Sequence, residues 1–106
     1  MKFNTMYVSK WMDGDPSDVR VIETPSFTLH SMAVGDRCDR VEEISRYCRE
    51  HRIHSLVLCP GFTHQMVARI AEETGNDTAV AVSRSDGPGS TVSAQIRNKV
   101  KKGIVQ

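Results

Sequence analysis

A cysteine and a histidine lie on either side of a Pro-Gly turn in the segment Cys59-Pro60-Gly61-Phe62-Thr63-His64. The preceding apolar run, Leu56-Val57-Leu58, predicts a buried strand, and Thr63 is a residue type that caps helices. A strand that turns into a helix N-terminus presents unpaired backbone N–H groups and a partial positive charge, which favour anions. The sequence therefore predicts an anion-binding site at this loop.

Two side chains of this loop could carry out chemistry. A cysteine facing a helix N-terminus favours the thiolate, so Cys59 is a candidate nucleophile. His64 is a candidate for its base, or for an independent acid or base. The alternatives are a buried cysteine that fills space under the loop and a surface histidine in a first helical turn.

The remaining loop residues are candidate ligand-binding groups. Gly61 is expected to allow a positive φ or a close approach of the backbone to a ligand, with Phe62 and Thr63 beside it. No metal site is expected, because the three cysteines lack C-x-x-C spacing. No cofactor is expected either, because the chain has neither G-x-G-x-x-G nor G-x-x-x-x-G-K-[ST].

Two other segments could contribute to the same site. Arg84 follows an apolar run and could clamp a carboxylate or phosphate, or could simply pair with Asp86. Lys10 and Trp11 follow the first predicted strand, and Trp11 is expected to pack over the site as a lid.

The predicted elements explain why these residues should meet. Hydrophobic periodicity predicts strands at 2–9, 27–34, 56–59 and 78–83, helices at about 37–52 and 64–74, and a short helix capped by Asp15. Alternating strands and helices imply a single small α/β domain with a mostly parallel four-stranded sheet built from βαβ units. Its expected bounds are residues 1–89, and residues 90–106 form a basic helical tail. Ligands of such sheets bind beyond the carboxyl ends of the strands. All the candidate residues come after a predicted strand, so they are expected at this edge of the sheet.

Two further cysteines are expected to be structural. Cys38 and Cys48 share one helical face with Val41 and Ile44, the spacing that is typical of a core-facing helix. Because free cysteine packs as a small hydrophobic residue, we assign these two thiols to the core.

Composition limits the range of functions. The chain has 106 residues, 39% hydrophobic residues and a formal net charge of +1. No nucleic-acid partner is expected, because the body is nearly neutral and the basic tail lacks interleaved aromatic residues. No membrane partner is expected, because no apolar run approaches the roughly 18 residues of a membrane helix. We expect a cytoplasmic protein and, because few helices cover the sheet, a homo-oligomer, a dimer at least.

The site segments also resemble a known family. The run Leu58-Cys59-Pro60-Gly61-Phe62-Thr63-His64, the following helix Val67-Ala68-Arg69-Ile70-Ala71-Glu72 and the segment Ser83-Arg84-Ser85-Asp86-Gly87 are similar to small uncharacterised bacterial α/β proteins of about this length. Those proteins show a Cys-x-Gly-Phe-x-His loop, with glycine where this chain has Pro60. The resemblance covers residues 1 to about 88. It implies a common fold and a site at this loop, and carries no assigned activity.

Two functions are compatible with these residues. The first is binding of a small anionic or carbonyl compound at the strand ends, with acid–base or thiol chemistry of the isomerase, cyclase or lyase type. The alternative is a non-catalytic homo-oligomeric accessory or sensor module. The sequence leaves open whether the protein is an enzyme.

Overall fold

The computed structural model describes residues 1–35, 41–83 and 88–103, and the side chains of these residues apart from 88–90. In chain order its elements are β1 (Phe3–Lys10), β2 (Arg20–Glu23), β3 (Phe27–Val34), α1 (Val41–Glu50), β4 (Ser55–Leu58), α2 (His64–Thr74), β5 (Ala79–Val82) and α3 (Pro88–Lys101). The strands form one sheet in the order β2-β3-β1-β4-β5. All neighbours are parallel except β2, which is antiparallel to β3. The predicted α/β fold with a mostly parallel sheet is confirmed.

The segment after Asp15 corrects one prediction. The Asp15 carboxylate accepts hydrogen bonds from the Ser17 backbone N–H and hydroxyl at 2.9 and 2.7 Å, and the Asp18 N–H donates to the Asp15 carbonyl at 3.1 Å. This is a single turn and not the start of a helix, because the aspartate satisfies the local N–H groups without one. Strand β2 follows, so the described sheet has five strands where the sequence predicted four.

The first strand lies at the centre of the sheet. β1 pairs with β3 along its whole length and with β4 on its other side. Strand β1 thus lies between β3 and β4. As a result, the loop after β1 lies next to the loop after β4.

Helices α1 and α2 cover one face of the sheet. The core unites Met6, Val8, Met32, Val34, Leu56 and Leu58 with buried residues of both helices, including Ile44, Cys48 and Ile70. Cys48 is 1% exposed, which confirms its assignment to the core. Cys38 lies outside the described residues.

The opposite face of the sheet, here called the open face, is not covered by any described element. Its residues alternate with the core positions and include Phe3, Thr5, Tyr7, Ile22, Leu29, Val57, Ala79 and Ala81, with Arg20 at the β2 edge. Phe3 and Ile22 are 53% and 62% exposed. Ala79 and Ala81 of β5 are exposed.

Helix α3 has few neighbours within the described chain. It makes no more than marginal contact with any described strand or helix. Val92 and Ile96 on its apolar side are exposed. No helix in the described ranges is both long and apolar enough to cross a membrane.

Candidate functional site

The carboxyl ends of the parallel strands meet at one edge of the sheet. Backbone hydrogen bonds extend the pairing one residue beyond β1, β4 and β5. Trp11 N–H donates to the Val34 carbonyl at 2.8 Å, Cys59 N–H to that of Val8 at 3.0 Å, and Ser83 N–H to that of Leu58 at 2.8 Å. We call the residues at this edge the rim: Lys10, Trp11, Cys59, Gly61, Thr63 and His64.

Cys59 contacts the end of the central strand. Its Sγ atom accepts a hydrogen bond from the backbone N–H of Lys10 at 3.1 Å, and the residue is half-buried. A Cβ atom at Gly61 would lie 3.5 Å from both Cys59 Sγ and Lys10 Cβ. The fold therefore brings Cys59, Gly61 and Lys10 together, although 49 residues separate Lys10 from Cys59.

Gly61 differs from its expected conformation. The positive-φ glycines among the described residues are Gly75 and Gly103, so Gly61 does not use the left-handed region. Because a Cβ at Gly61 would meet its neighbours at ordinary contact distances, the backbone could accept a side chain there. Because Gly61 has no side chain, the space beside the Cys59 thiol is open.

Helix α2 begins at the rim as the sequence predicted. Thr63 is its N-cap, and the Thr63 side chain accepts a hydrogen bond from the Met66 N–H at 3.2 Å. The first turn of α2 holds no acidic residue, so no carboxylate there neutralises the positive end of the helix dipole. Phe62 is 2% exposed and packs in the core, which anchors the loop.

Two lysines add positive charge near the rim. Lys10 ends β1, and Lys101 of α3 places its ammonium 5.4 Å from the centre of the Trp11 ring. This cation–π contact attaches the end of α3 to the loop after β1. The loop itself is held by Gly14, where a Cβ would lie only 2.6 Å from the Val34 backbone.

Some predicted site residues are not brought together by the described structure. Arg84 and Asp86 lie outside the described residues. His64 is exposed on the first residue of α2, and within the described ranges no hydrogen bond joins it to Cys59. The described hydrogen bonds place the backbone of Lys10 next to the thiol.

The chain matches one protein family over most of its length. The model of a family of unknown function, DUF6506, matches residues 1–98. The chain belongs to the DUF6506 family. Neither the curated proteins nor the solved structures show a significant match to it. The DUF6506 match extends to residue 98 and so includes most of α3.

This DUF6506 protein also contains a cluster that the sequence analysis missed. His30 Nδ1 lies 2.5 Å from the Tyr47 hydroxyl oxygen, and the Tyr47 ring stacks on His51 with centroids 3.8 Å apart. Burial, and secondly the charge of His51, lowers the pKa of His30. Burial raises the pKa of Tyr47. No sequence signal points to this cluster, because its members come from β3, α1 and the turn after α1.

The described part of the chain shows no group suited to hold a metal ion. No three histidine, cysteine, aspartate or glutamate side chains in it lie close enough together for that role. The rim of this DUF6506 protein combines a thiol, two lysines and the N-terminus of α2.

Proposed function

We propose that this protein binds a small anionic or carbonyl compound at the rim. The observation that carries the proposal is the convergence of Cys59, Lys10 and Gly61 beside the N-terminus of α2. A helix N-terminus without acidic side chains attracts an anion, and the nearby lysine charge acts in the same direction. Because Gly61 has no side chain, a ligand could approach the sulfur atom directly.

The chemistry proposed for this site uses the thiol of Cys59. As a thiolate, Cys59 would act as a nucleophile or a proton acceptor toward a carbonyl or carboxylate compound. His64, at the start of α2, would serve as the base for Cys59 or as an independent acid or base. Some isomerase, cyclase and lyase reactions on small carbonyl compounds use only acid–base or nucleophilic groups of this kind.

A thermal-shift screen with pyruvate, acetate and inorganic phosphate tests the binding proposal. A ligand at 100 times its Kd stabilises the folded state by about 2.7 kcal/mol. For a domain of this size, that corresponds to a rise in Tm of roughly 10–20 °C. We expect the shift to grow with ligand concentration in the wild type and to be smaller in Cys59→Ala, Lys10→Met and Arg84→Ala.

Lys99→Met is the matched control, because Lys99 is an exposed lysine of α3 that is not one of the rim residues defined above. It should retain the full shift. If all three compounds leave the Tm of the wild type unchanged, or if the rim variants respond like Lys99→Met, the rim is a folding feature and the proposal is wrong.

We also propose that the protein is a homo-oligomer in which a second copy covers the open face. Two apolar surfaces of the same chain lack a partner within the described structure: the open face and the side of α3 that carries Val92 and Ile96. Apart from Arg20 at the β2 edge, the strand residues of the open face are uncharged, as the core of a protein interface requires. Each copy could thus supply the helix that the sheet of the other lacks.

The areas of the open face and of α3 support a second copy of the chain as the partner that covers them. Five strands of up to eight residues present about 500 Å² of projected sheet surface. A 14-residue helix adds about 200 Å². Together these approach the roughly 800 Å² per partner of a stable protein interface.

Sedimentation equilibrium of paired variants on β2 tests this arrangement. Ile22 and Val21 are adjacent and similarly exposed, at 62% and 49%, but only Ile22 belongs to the open face. We expect the wild type and Val21→Glu to sediment at twice the 11.8 kDa chain mass or more, and Ile22→Glu to shift toward the monomer. A monomeric wild type at every concentration, or equal behaviour of both variants, would overturn the proposal.

Three finer statements complete the proposal. We propose that the Cys-x-Gly-Phe-x-His loop is shared among the DUF6506 family and that the protein is bacterial, because the sequence resemblance rests on those residues. We propose a cytoplasmic location, which the free thiols of Cys48 and Cys59 favour, since reducing compartments keep thiols unpaired.

A further inference from the structure

A cavity lies at the end of the sheet opposite the rim. Its volume is about 460 Å³, within the range of small-molecule pockets. It is bounded by the last turns of α1 and α2 and by the residues leading into β4 and β5: Cys48, Arg49, Arg52, Ile53, His54, Thr74, Asp77 and Thr78. None of these residues belongs to the rim.

The lining carries more positive than negative charge. Arg49 and Arg52 contribute two guanidinium groups, against the single carboxylate of Asp77. Arg49 Nη1 donates to the Glu73 carbonyl at 3.0 Å, which positions that guanidinium and uses one of its five donors. Burial raises the pKa of Cys48 to about 11, so the thiol of this wall is neutral at physiological pH.

Arg52 occupies a backbone position that usually holds glycine. Its φ is 51°, the one positive φ of a non-glycine residue in the described ranges. The Ile53 N–H donates to the Cys48 carbonyl at 3.0 Å, and the Arg52 N–H lies 3.4 Å from the Arg49 carbonyl, as in a Schellman motif. Glycine would be favoured there by roughly 1–2 kcal/mol. A function of the Arg52 side chain at the cavity would explain why arginine occupies this strained position.

The strained turn is held in place by the first strand. Asn4 Nδ2 donates to the Arg52 carbonyl at 3.2 Å, and Asn4 Oδ1 accepts from the Thr28 hydroxyl at 2.9 Å. The side chain of Arg52 itself makes no ion pair with any described residue. The fold therefore fixes the backbone of Arg52 and leaves its charge available at the cavity wall.

His54 adds an oriented hydrogen-bond donor. Its Nδ1 accepts the backbone N–H of Asn4 at 3.0 Å, so a neutral His54 carries its proton on Nε2. The Phe3 ring stacks on the imidazole at a centroid distance of 6.0 Å and an interplanar angle of 11°. The ring is thus held in one orientation, with one defined donor atom.

We propose that this cavity is a second small-molecule site, which takes a compound bearing a carboxylate or phosphate group. The guanidinium groups of Arg49 and Arg52 bind the anionic oxygens, because their planar donor arrangement matches both groups. The carboxylate of Asp77 accepts a hydrogen bond from a hydroxyl or amine of the same compound. This site does not depend on the rim.

Isothermal titration calorimetry with inorganic phosphate and with succinate tests the site. Loss of one charged hydrogen-bonding partner should weaken binding about 10- to 100-fold. We expect this loss in Arg52→Gly and in Arg49→Gln. Arg97→Gln, in an exposed arginine of α3, should bind as the wild type does. Cys59→Ala, at the rim, should keep the binding event that Arg52→Gly loses, whatever heat the rim itself contributes.

The Tm of the same variants distinguishes a loss of anion binding from a loss of folding. Because glycine relieves the positive φ, Arg52→Gly should have a Tm equal to or above that of the wild type while it loses the anion. Binding of phosphate alone assigns a phosphorylated ligand, and binding of succinate alone assigns a carboxylate. The proposal is wrong if neither compound binds the wild type, if Arg52→Gly binds normally, or if Cys59→Ala removes the heat of binding.

Discussion

Replacement of Ile70 by alanine is expected to lower the free energy of unfolding by about 2–5 kcal/mol. Ile70 is completely buried on the inner side of α2 and belongs to the core between the helices and the sheet. The substitution removes three carbon atoms from a closely packed site and leaves a cavity, so transfer and cavity terms add. Urea unfolding at low protein concentration measures the change.

The matched control is Ile96→Ala, which makes the same change in another helix. Ile96 is 50% exposed on α3, so its truncation should alter the stability of the monomer by no more than about 0.5 kcal/mol. Equal losses in the two variants would show that α3 packs as tightly as α2 in the isolated chain. Because α2 begins at the rim, the loss in Ile70→Ala would also loosen the loop that carries Gly61.

The two described cysteines are expected to differ strongly in their reaction with iodoacetamide. Burial raises the pKa of the Cys48 thiol from 9.0 to about 11, which reduces its thiolate by about 100-fold. Cys59 is half-buried, and Gly61 leaves the space beside its sulfur open. In a Cys38→Ser background, native protein should therefore be alkylated at Cys59 at least about 100-fold faster than at Cys48.

Two variants and one denaturant control define this experiment. Cys59→Ala should remove the fast reaction, and Gly61→Val should slow it, because its side chain would cover the sulfur. In urea, Cys48 should react like an ordinary thiol. Comparable rates for the two cysteines in the native state would contradict both the burial of Cys48 and the accessibility of the rim thiol.

The raised pKa of Cys48 also has a consequence for stability at alkaline pH. The unfolded thiol loses its proton near pH 9, whereas the folded thiol keeps it until about pH 11. The folded state therefore binds more protons than the unfolded state in this interval, and stability falls as pH rises through it. A Cys48→Ala variant would lack the part of this fall in stability that comes from the thiol.

Local sequence patterns determined much of the architecture. The predicted strand at 27–34 and the predicted helix at 64–74 coincide with β3 and α2. Period-two and period-3.6 patterns are properties of consecutive residues, so a sequence can encode them directly. The same patterns assigned Cys48 to the core and placed Cys59, Lys10 and the start of α2 at strand ends.

The tertiary structure alone decided which strands are neighbours. Strand β1 lies at the centre because β3 and β4 pair with it across loops, and pairing partners are not a property of any one segment. The sequence analysis missed the four-residue strand β2 for a related reason. A short apolar segment after a capping aspartate fits a helical turn and a strand equally well. Pairing with β3 decides in favour of the strand.

The two proposed sites, the rim and the cavity, depend on contacts that no sequence motif predicts. The hydrogen bond to Cys59 Sγ comes from Lys10, and Arg52 and His54 are held by Asn4, 48 and 50 residues away. The sequence by itself determined the residue types, the helix start at Thr63 and the alternation that buries one face of the sheet. Only the tertiary structure decided that Lys10 meets Cys59 and that two arginines share a cavity, because these follow from long-range pairing of the central strand.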